Sequence, residues 1–251
     1  MKATAIIPAR YSSTRLPGKP LIEIKGKPLI QYVYERVQSS SVQQVIVATD
    51  DEKIYQCVQD FGGKSILTDE NHPSGTDRIA EASQKMNLGS GDLIVNVQGD
   101  QPIFRPSTIS DMIAPLREDP SIPMSTLKFR ITDEREIDDP NHVKVVTDKE
   151  GFALFFSRSP IPFFRDPSSK QVYYKHLGFY AYRQDFLAKY GNLPVGDLES
   201  SEKLEQLRAL ENGFRIKVVE TPFDSIEVDR PADIKRVEEL MAQPMQMTND
   251  K

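Results

Sequence analysis

Short apolar, β-branched runs alternate with segments of helical periodicity through the first half of the chain. Ala3-Thr4-Ala5-Ile6-Ile7-Pro8, Val45-Ile46-Val47-Ala48, Lys64-Ser65-Ile66-Leu67 and Leu93-Ile94-Val95-Asn96-Val97 predict strands. Residues 28–40, 51–61, 75–87 and 106–117 predict helices, and Gly62-Gly63 closes the second of them as a left-handed glycine cap would. Strand and helix alternating at this spacing require right-handed crossovers, hence an α/β fold with a parallel sheet covered on both faces.

After about residue 120 the pattern changes. Met124–Phe129, Val143–Thr147, Ala153–Phe156 and Leu177–Tyr182 are successive strand candidates separated by turn-like stretches such as Asp148-Lys149-Glu150-Gly151. They predict an antiparallel extension over about 120–190. Helices at 200–212 and 231–241, with a strand at 215–219 between them, then resume the first pattern. No stretch is rich enough in Gly, Ser or Pro to act as a linker, so residues 1–241 are expected to form a single domain. Residues 242–251, polar and Met-rich without periodicity, are expected to be a disordered tail.

Composition changes this picture mainly by exclusion. A chain of 251 residues with net charge −5 has no bulk affinity for nucleic acid. Cys57 is the only cysteine, which excludes an intrachain disulfide and a thiolate metal site, and His72, His142 and His176 lack metal-ligand spacing. No apolar run approaches ~18 residues and no signal-like segment opens the chain, so a cytoplasmic protein without a membrane span is expected.

Charge is distributed unevenly. Residues 1–27 hold Lys2, Arg10, Arg15, Lys19, Lys25 and Lys27 against Glu23 alone, a net +5 that leaves −10 on the remainder. Ala9, Arg10, Arg15 and Lys19 lie in the loop leaving the first strand, where ligands of open parallel sheets bind. Arginine forks and a lysine point charge suit a polyphosphate. The loop has neither P-loop nor dinucleotide-fold glycine spacing, and a solvated basic turn is the competing explanation.

Four further segments carry chemistry. Gln98-Gly99-Asp100-Gln101-Pro102 follows a buried strand; Asp100 is either a turn aspartate or one of the few carboxylates that Mg²⁺ takes alongside phosphate oxygens. Ser74-Gly75-Thr76-Asp77-Arg78 reads as a capped helix start whose free amides also suit a nucleotide, although Arg78 in the first turn opposes the helix dipole. Asp229 before Pro231 is an N-cap or a second metal carboxylate. His176 and Tyr180 share a strand face, and Glu205 and Gln206 sit on a predicted helix; a core tyrosine and a solvated helix face compete with a binding role.

Taken in order, Ile7-Pro8-Ala9-Arg10, Thr14-Arg15-Leu16-Pro17-Gly18-Lys19-Pro20-Leu21, Ala48-Thr49-Asp50-Asp51, Ser74–Arg78, Asn96–Asp100, Val143–Val146, Lys175–Gly178, Leu204–Arg208 and Val228-Asp229 closely resemble the 3-deoxy-manno-octulosonate cytidylyltransferase (CMP-Kdo synthetase) family from about residue 3 to 241. The resemblance implies a Rossmann-like nucleotidyltransferase fold with a mixed, mostly parallel sheet, a homodimer, Mg²⁺ as cofactor, and activation of Kdo by CTP for lipopolysaccharide synthesis. It implies that Ala9, Arg10, Arg15, Lys19, Ser74, Gly75, Arg78 and Gln98 bind the nucleotide. Lys19, Asp100 and Asp229 would be catalytic, the two aspartates holding the metal. Gln101, His176, Tyr180, Glu205 and Gln206 would face the sugar acid. Gln101 departs from the glutamate that many members carry there. Some members use the 8-amino-8-deoxy sugar, which leaves that substrate as an alternative. A different sugar nucleotidyltransferase and a non-catalytic nucleotide binder are the other readings.

Overall fold

A computed structural model describes residues 1–12, 16–72, 74–166, 168 and 171–242. The expected tail beyond Ala242 and the site candidate Arg15 lie outside the described residues. In chain order the elements are β1 (Ala3–Ala9), β2 (Glu23–Ile24), β3 (Lys27–Pro28), α1 (Leu29–Gln38), β4 (Gln44–Thr49), α2 (Glu52–Asp60), β5 (Ser65–Leu67), α3 (Gly75–Lys85), β6 (Leu93–Asn96), α4 (Ser107–Glu118) and β7 (Met124–Arg130). There follow α5 (Arg135–Asp138), β8 (Lys144–Thr147), β9 (Ala153–Ser157), β10 (Tyr174–Arg183), α6 (Gln184–Tyr190), α7 (Asp197–Glu202), α8 (Gln206–Glu211), β11 (Ile216–Thr221) and α9 (Pro231–Ala242).

The main sheet runs β11-β7-β10-β6-β1-β4-β5. Every residue of β1 is buried, as expected for a central strand covered on both faces. Its side chains alternate between two cores. Ala5 and Ile7 pack with Val33 of α1 and Met112 of α4; Ile6 packs with Ile79 of α3 and Leu187 of α6. From β1 the chain moves to β4 and β5 on one side, then returns to β6 on the other. That reversal opens a crevice at the carboxyl ends of β1 and β6.

The second half departs from the expected extension. β7 and β10 belong to the main sheet: β10 runs antiparallel between β6 and β7, and β11 pairs parallel with β7. β8 and β9 lie off that linear order as a short antiparallel arm, joined to the sheet where β8 pairs with β10. Alternation alone does not say which partner a strand takes, so separate extension and reversed insertion look alike in sequence.

The helix expected over 200–212 is two short helices. Lys203 takes a left-handed φ of 53° and ends α7, and Arg208 of α8 is held bidentately by Glu199 of α7 at 2.8 and 2.6 Å. A third small core, with Ile24 of β2, Leu29 on α1 and Val228 and Val237 around α9, docks the C-terminal helix against the loop that leaves β1.

Candidate active site

The loop after β1 turns back at Gly18, whose φ of 68° is left-handed and whose amide donates to the Tyr11 carbonyl at 2.9 Å. A short 3-10 turn over Lys19–Leu21 follows and aims Lys19 into the crevice. Its ammonium donates to Asp100 Oδ2 at 2.8 Å and to Asp229 Oδ1 at 2.9 Å. Burial alone would favour the neutral amine; the two carboxylates outweigh it and raise the Lys19 pKa.

Tertiary contacts bring these groups together. Gly99 lets the loop after β6 press on β1, since a Cβ there would stand 3.0 Å from the Pro8 carbonyl oxygen. The Asp100 carbonyl accepts from the Val228 amide at 2.8 Å, which seats Asp229 beside Asp100. Asp229 is not the helix cap: its carboxylate turns to Lys19, while Asp233 accepts from the amides of Asp229 and Arg230 at 2.9 and 2.7 Å.

Ser74 does cap α3, accepting from the Asp77 amide at 3.2 Å and donating to Asp77 Oδ2 at 2.7 Å. The buried Arg78 donates to Asp50 Oδ2 at 2.6 Å and Thr68 Oγ1 at 2.5 Å, which offsets its place in a first helical turn.

The described nucleotide candidates gather around one cavity of about 330 Å³. Ala9, Arg10, Lys19, Ser74, Gly75, Arg78, Gln98, Asp100 and Asp229 all line it. A second cavity, also about 330 Å³, gathers Gln101, His176, Tyr180, Glu205 and Gln206. Gly75, Gln98 and Glu205 line both, so the two share a wall.

The second cavity is built for a polar ligand. Gln101 and Gln206 are each only 4% exposed, and Gln101 Oε1 and Gln206 Nε2 are buried without a hydrogen-bond partner. An orphaned acceptor and an orphaned donor beside one cavity ask for a hydroxyl-rich occupant. Gln206 Oε1 accepts from the Tyr180 hydroxyl at 3.1 Å. An irregularity in β10 between Leu177 and Tyr180 keeps the in–out alternation, so His176 and Tyr180 stay on one face with ring centroids 5.3 Å apart.

Burial pushes the His176 pKa down to about 3, so the ring is neutral near pH 7. Thr126 Oγ1 spends its proton on the Phe179 carbonyl at 2.6 Å and therefore accepts from His176 Nε2–H at 2.8 Å. That bond sets the tautomer and leaves Nδ1 unprotonated. Burial also raises the Glu205 and Tyr180 pKa values.

Several lining residues were not singled out from sequence. His72 lines the first cavity, with Nε2 hydrogen-bonded to Glu81. Thr76 and Glu227 line the second, with Asn141 and Lys203. Thr76 and His72 stand within or beside the Ser74–Arg78 segment, a proximity that could have flagged them. Lys203 and Glu227 lie in the segments around Glu205 and Asp229 without having been assigned a role, and Asn141 carries no local signal.

Lys19, Asp100 and Asp229 also test a divalent cation. Two carboxylates beside a phosphate site are the number Mg²⁺ commonly takes from a protein. No group of three or more His, Cys, Asp or Glu residues that could form a larger cage occurs among the described residues.

The sequence profile of the cytidylyltransferase family matches residues 4–218. Over 241 residues the chain is 55% identical to the 3-deoxy-manno-octulosonate cytidylyltransferase of Syntrophus aciditrophicus strain SB, covering 96% of this chain and 97% of that protein. It is 52% identical over 252 residues to the enzyme of the same name from Geobacter sulfurreducens, covering 96% and 100%. A solved structure of CMP:2-keto-3-deoxy-manno-octonic acid synthetase complexed with CTP superposes with a TM-score of 0.91 at 46% identity, covering 97% of this chain and 99% of that one. A cytidylyltransferase from Leptospira borgpetersenii matches with a TM-score of 0.63 at 18% identity, a likeness of fold alone.

Proposed function

We propose that this chain, which belongs to the 3-deoxy-manno-octulosonate cytidylyltransferase family, transfers the cytidylyl group of CTP to the anomeric hydroxyl of Kdo, releasing pyrophosphate. The observation that carries this reading is the pair of cavities sharing a wall, one rimmed by Arg10, Lys19, Asp100 and Asp229, the other by the orphaned polar atoms of Gln101 and Gln206.

CTP lies in the first cavity, its phosphates on Arg10, Lys19 and the free amides at the α3 N-terminus. Ser74, Gly75, Arg78 and Gln98 surround the nucleotide. Kdo lies in the second, its hydroxyls on Gln101, Tyr180, Gln206 and the unprotonated Nδ1 of His176, with Glu205 at the junction. The anomeric oxygen attacks the α-phosphorus as the bond to pyrophosphate breaks. No covalent enzyme intermediate is needed. Asp100 and Asp229 would hold Mg²⁺, which supplies charge neutralisation on the phosphates and a lowered pKa for a bound hydroxyl. Lys19 stabilises charge on the α-phosphate, and its release from the two carboxylates accompanies nucleotide entry. Catalysis is then positioning plus preorganised charge.

The reading includes a cytoplasmic homodimer that supplies CMP-Kdo for lipopolysaccharide synthesis. Leu154 on the β8–β9 arm and Phe163 beyond it, 63% and 87% exposed, support such an interface. Sedimentation at micromolar concentration is expected to give twice the chain mass, and Leu154→Asp to shift it toward the monomer.

The direct test incubates the protein with CTP, Mg²⁺ and Kdo, with 8-amino-Kdo in a parallel arm, and weighs the products. CMP-Kdo with an equivalent of pyrophosphate is expected. Product from the amino sugar alone would move the substrate assignment, and no product from either sugar would overturn it.

A further inference from the structure

Thr76 lies one residue beyond Gly75 in the first turn of α3, and it is buried at 3% exposure. A threonine there is unremarkable for helix geometry, but its side chain bonds across 129 positions of sequence. Thr76 Oγ1 donates to Glu205 Oε2 at 2.8 Å. The Tyr190 hydroxyl donates to the Glu205 main-chain carbonyl at 2.5 Å, holding the backbone of the same residue.

Glu205 is the carboxylate that lines both cavities. Thr76 therefore joins the helix turn that carries the nucleotide amides to the acidic group at the junction with the sugar cavity. We propose that Thr76 is a positioning residue that couples the two substrates: nucleotide seated on the α3 N-terminus fixes, through the Thr76–Glu205 hydrogen bond, the carboxylate that the sugar acid's hydroxyls meet. This rests on the reaction assigned above.

The bond is between a hydroxyl and an ionisable carboxyl in a shielded site, a class whose loss costs on the order of tenfold or more in an equilibrium. Thr76→Val keeps the shape and removes the donor; Thr76→Ser keeps the donor. In steady-state kinetics, Thr76→Val is expected to raise the KM for Kdo about tenfold at saturating CTP, with kcat and, at Kdo well below its KM, the KM for CTP within about twofold of wild type. Thr76→Ser is expected to restore the Kdo KM to within about threefold. In calorimetry, a non-transferable CTP analogue is expected to tighten Kdo binding to wild type and to Thr76→Ser, and to do so far less in Thr76→Val. A general packing defect would lower thermal stability and move both substrates' parameters without rescue by serine. Wild type that forms no CMP-Kdo overturns the reaction itself. An active wild type whose valine variant keeps the Kdo KM and the calorimetric coupling overturns the role of Thr76 alone.

Discussion

Replacing Lys19 by methionine isolates the central electrostatic contact. The ammonium makes two charge-assisted hydrogen bonds, 2.8 Å to Asp100 and 2.9 Å to Asp229, with side-chain exposures of 12, 28 and 24%. Bonds to charged groups contribute about 1.5–3 kcal/mol each; the partial exposure here favours the low end, so the pair is worth about 3 kcal/mol. Lys19→Met also removes the cation that bridges the two carboxylates. For a chain of this size about 3 kcal/mol lowers Tm by roughly 6–12 °C. Thermal unfolding followed by circular dichroism, without nucleotide, measures this directly. Millimolar Mg²⁺ is then expected to raise the Tm of Lys19→Met more than that of wild type, because the variant has one cation fewer beside Asp100 and Asp229. Adding Asp100→Asn to Lys19→Met should recover part of the loss by removing the repulsion. A variant as stable as wild type, and equally indifferent to Mg²⁺, would refute the view that Lys19 holds this pair together. In turnover the same substitution is expected to cost on the order of 10²-fold in kcat.

Gly99→Ala should lose about 1–3 kcal/mol by pushing the Asp100 loop off β1, since the new Cβ meets the Pro8 carbonyl oxygen at 3.0 Å; urea titration measures it, and an unchanged midpoint would sink the idea. His176, held neutral with a pKa of about 3, regains a proton on unfolding near pH 6.5; stability is complete above that pH and is lost between 6.5 and about 3, by up to about 1.4 kcal/mol per pH unit. The stability gap between wild type and His176→Gln should therefore narrow on acidification from pH 7 to 5, and a constant gap would disprove it. Asp50→Asn breaks the buried pair with Arg78, and is expected to raise the KM for CTP at least several-fold and to destabilise by about 3 kcal/mol; an unaltered CTP KM would make Arg78 a purely structural residue.

Local pattern settles what depends on neighbours in sequence. The buried run of β1, the capped start at Ser74 and the glycine stop after α2 are local, and each stands within a residue or two of where it was expected. The motifs from Ile7–Arg10 to Val228-Asp229, met in that order, likewise resembled the family that the relatives show. Arg78 in the first turn of α3 was visible as an anomaly, but its answer was not, since Asp50 and Thr68 come from other elements.

Pairings across long separations belong to the tertiary structure. Whether Asp229 capped a helix or faced a cation turned on a lysine 210 positions away, and on the small core of Ile24, Leu29, Val228 and Val237 that seats α9 beside the first loop. The placing of β10 inside the main sheet was undecided by alternation, which sets faces and leaves partners open. The break at Lys203 was hidden because good helix formers surround it and the Glu199–Arg208 pair fixes the turn from outside. The residues alone determined which chemistry was available; the reversal of strand order at β1 and β6 decided which of those groups meet, because only packing brings distant side chains within reach of one ligand.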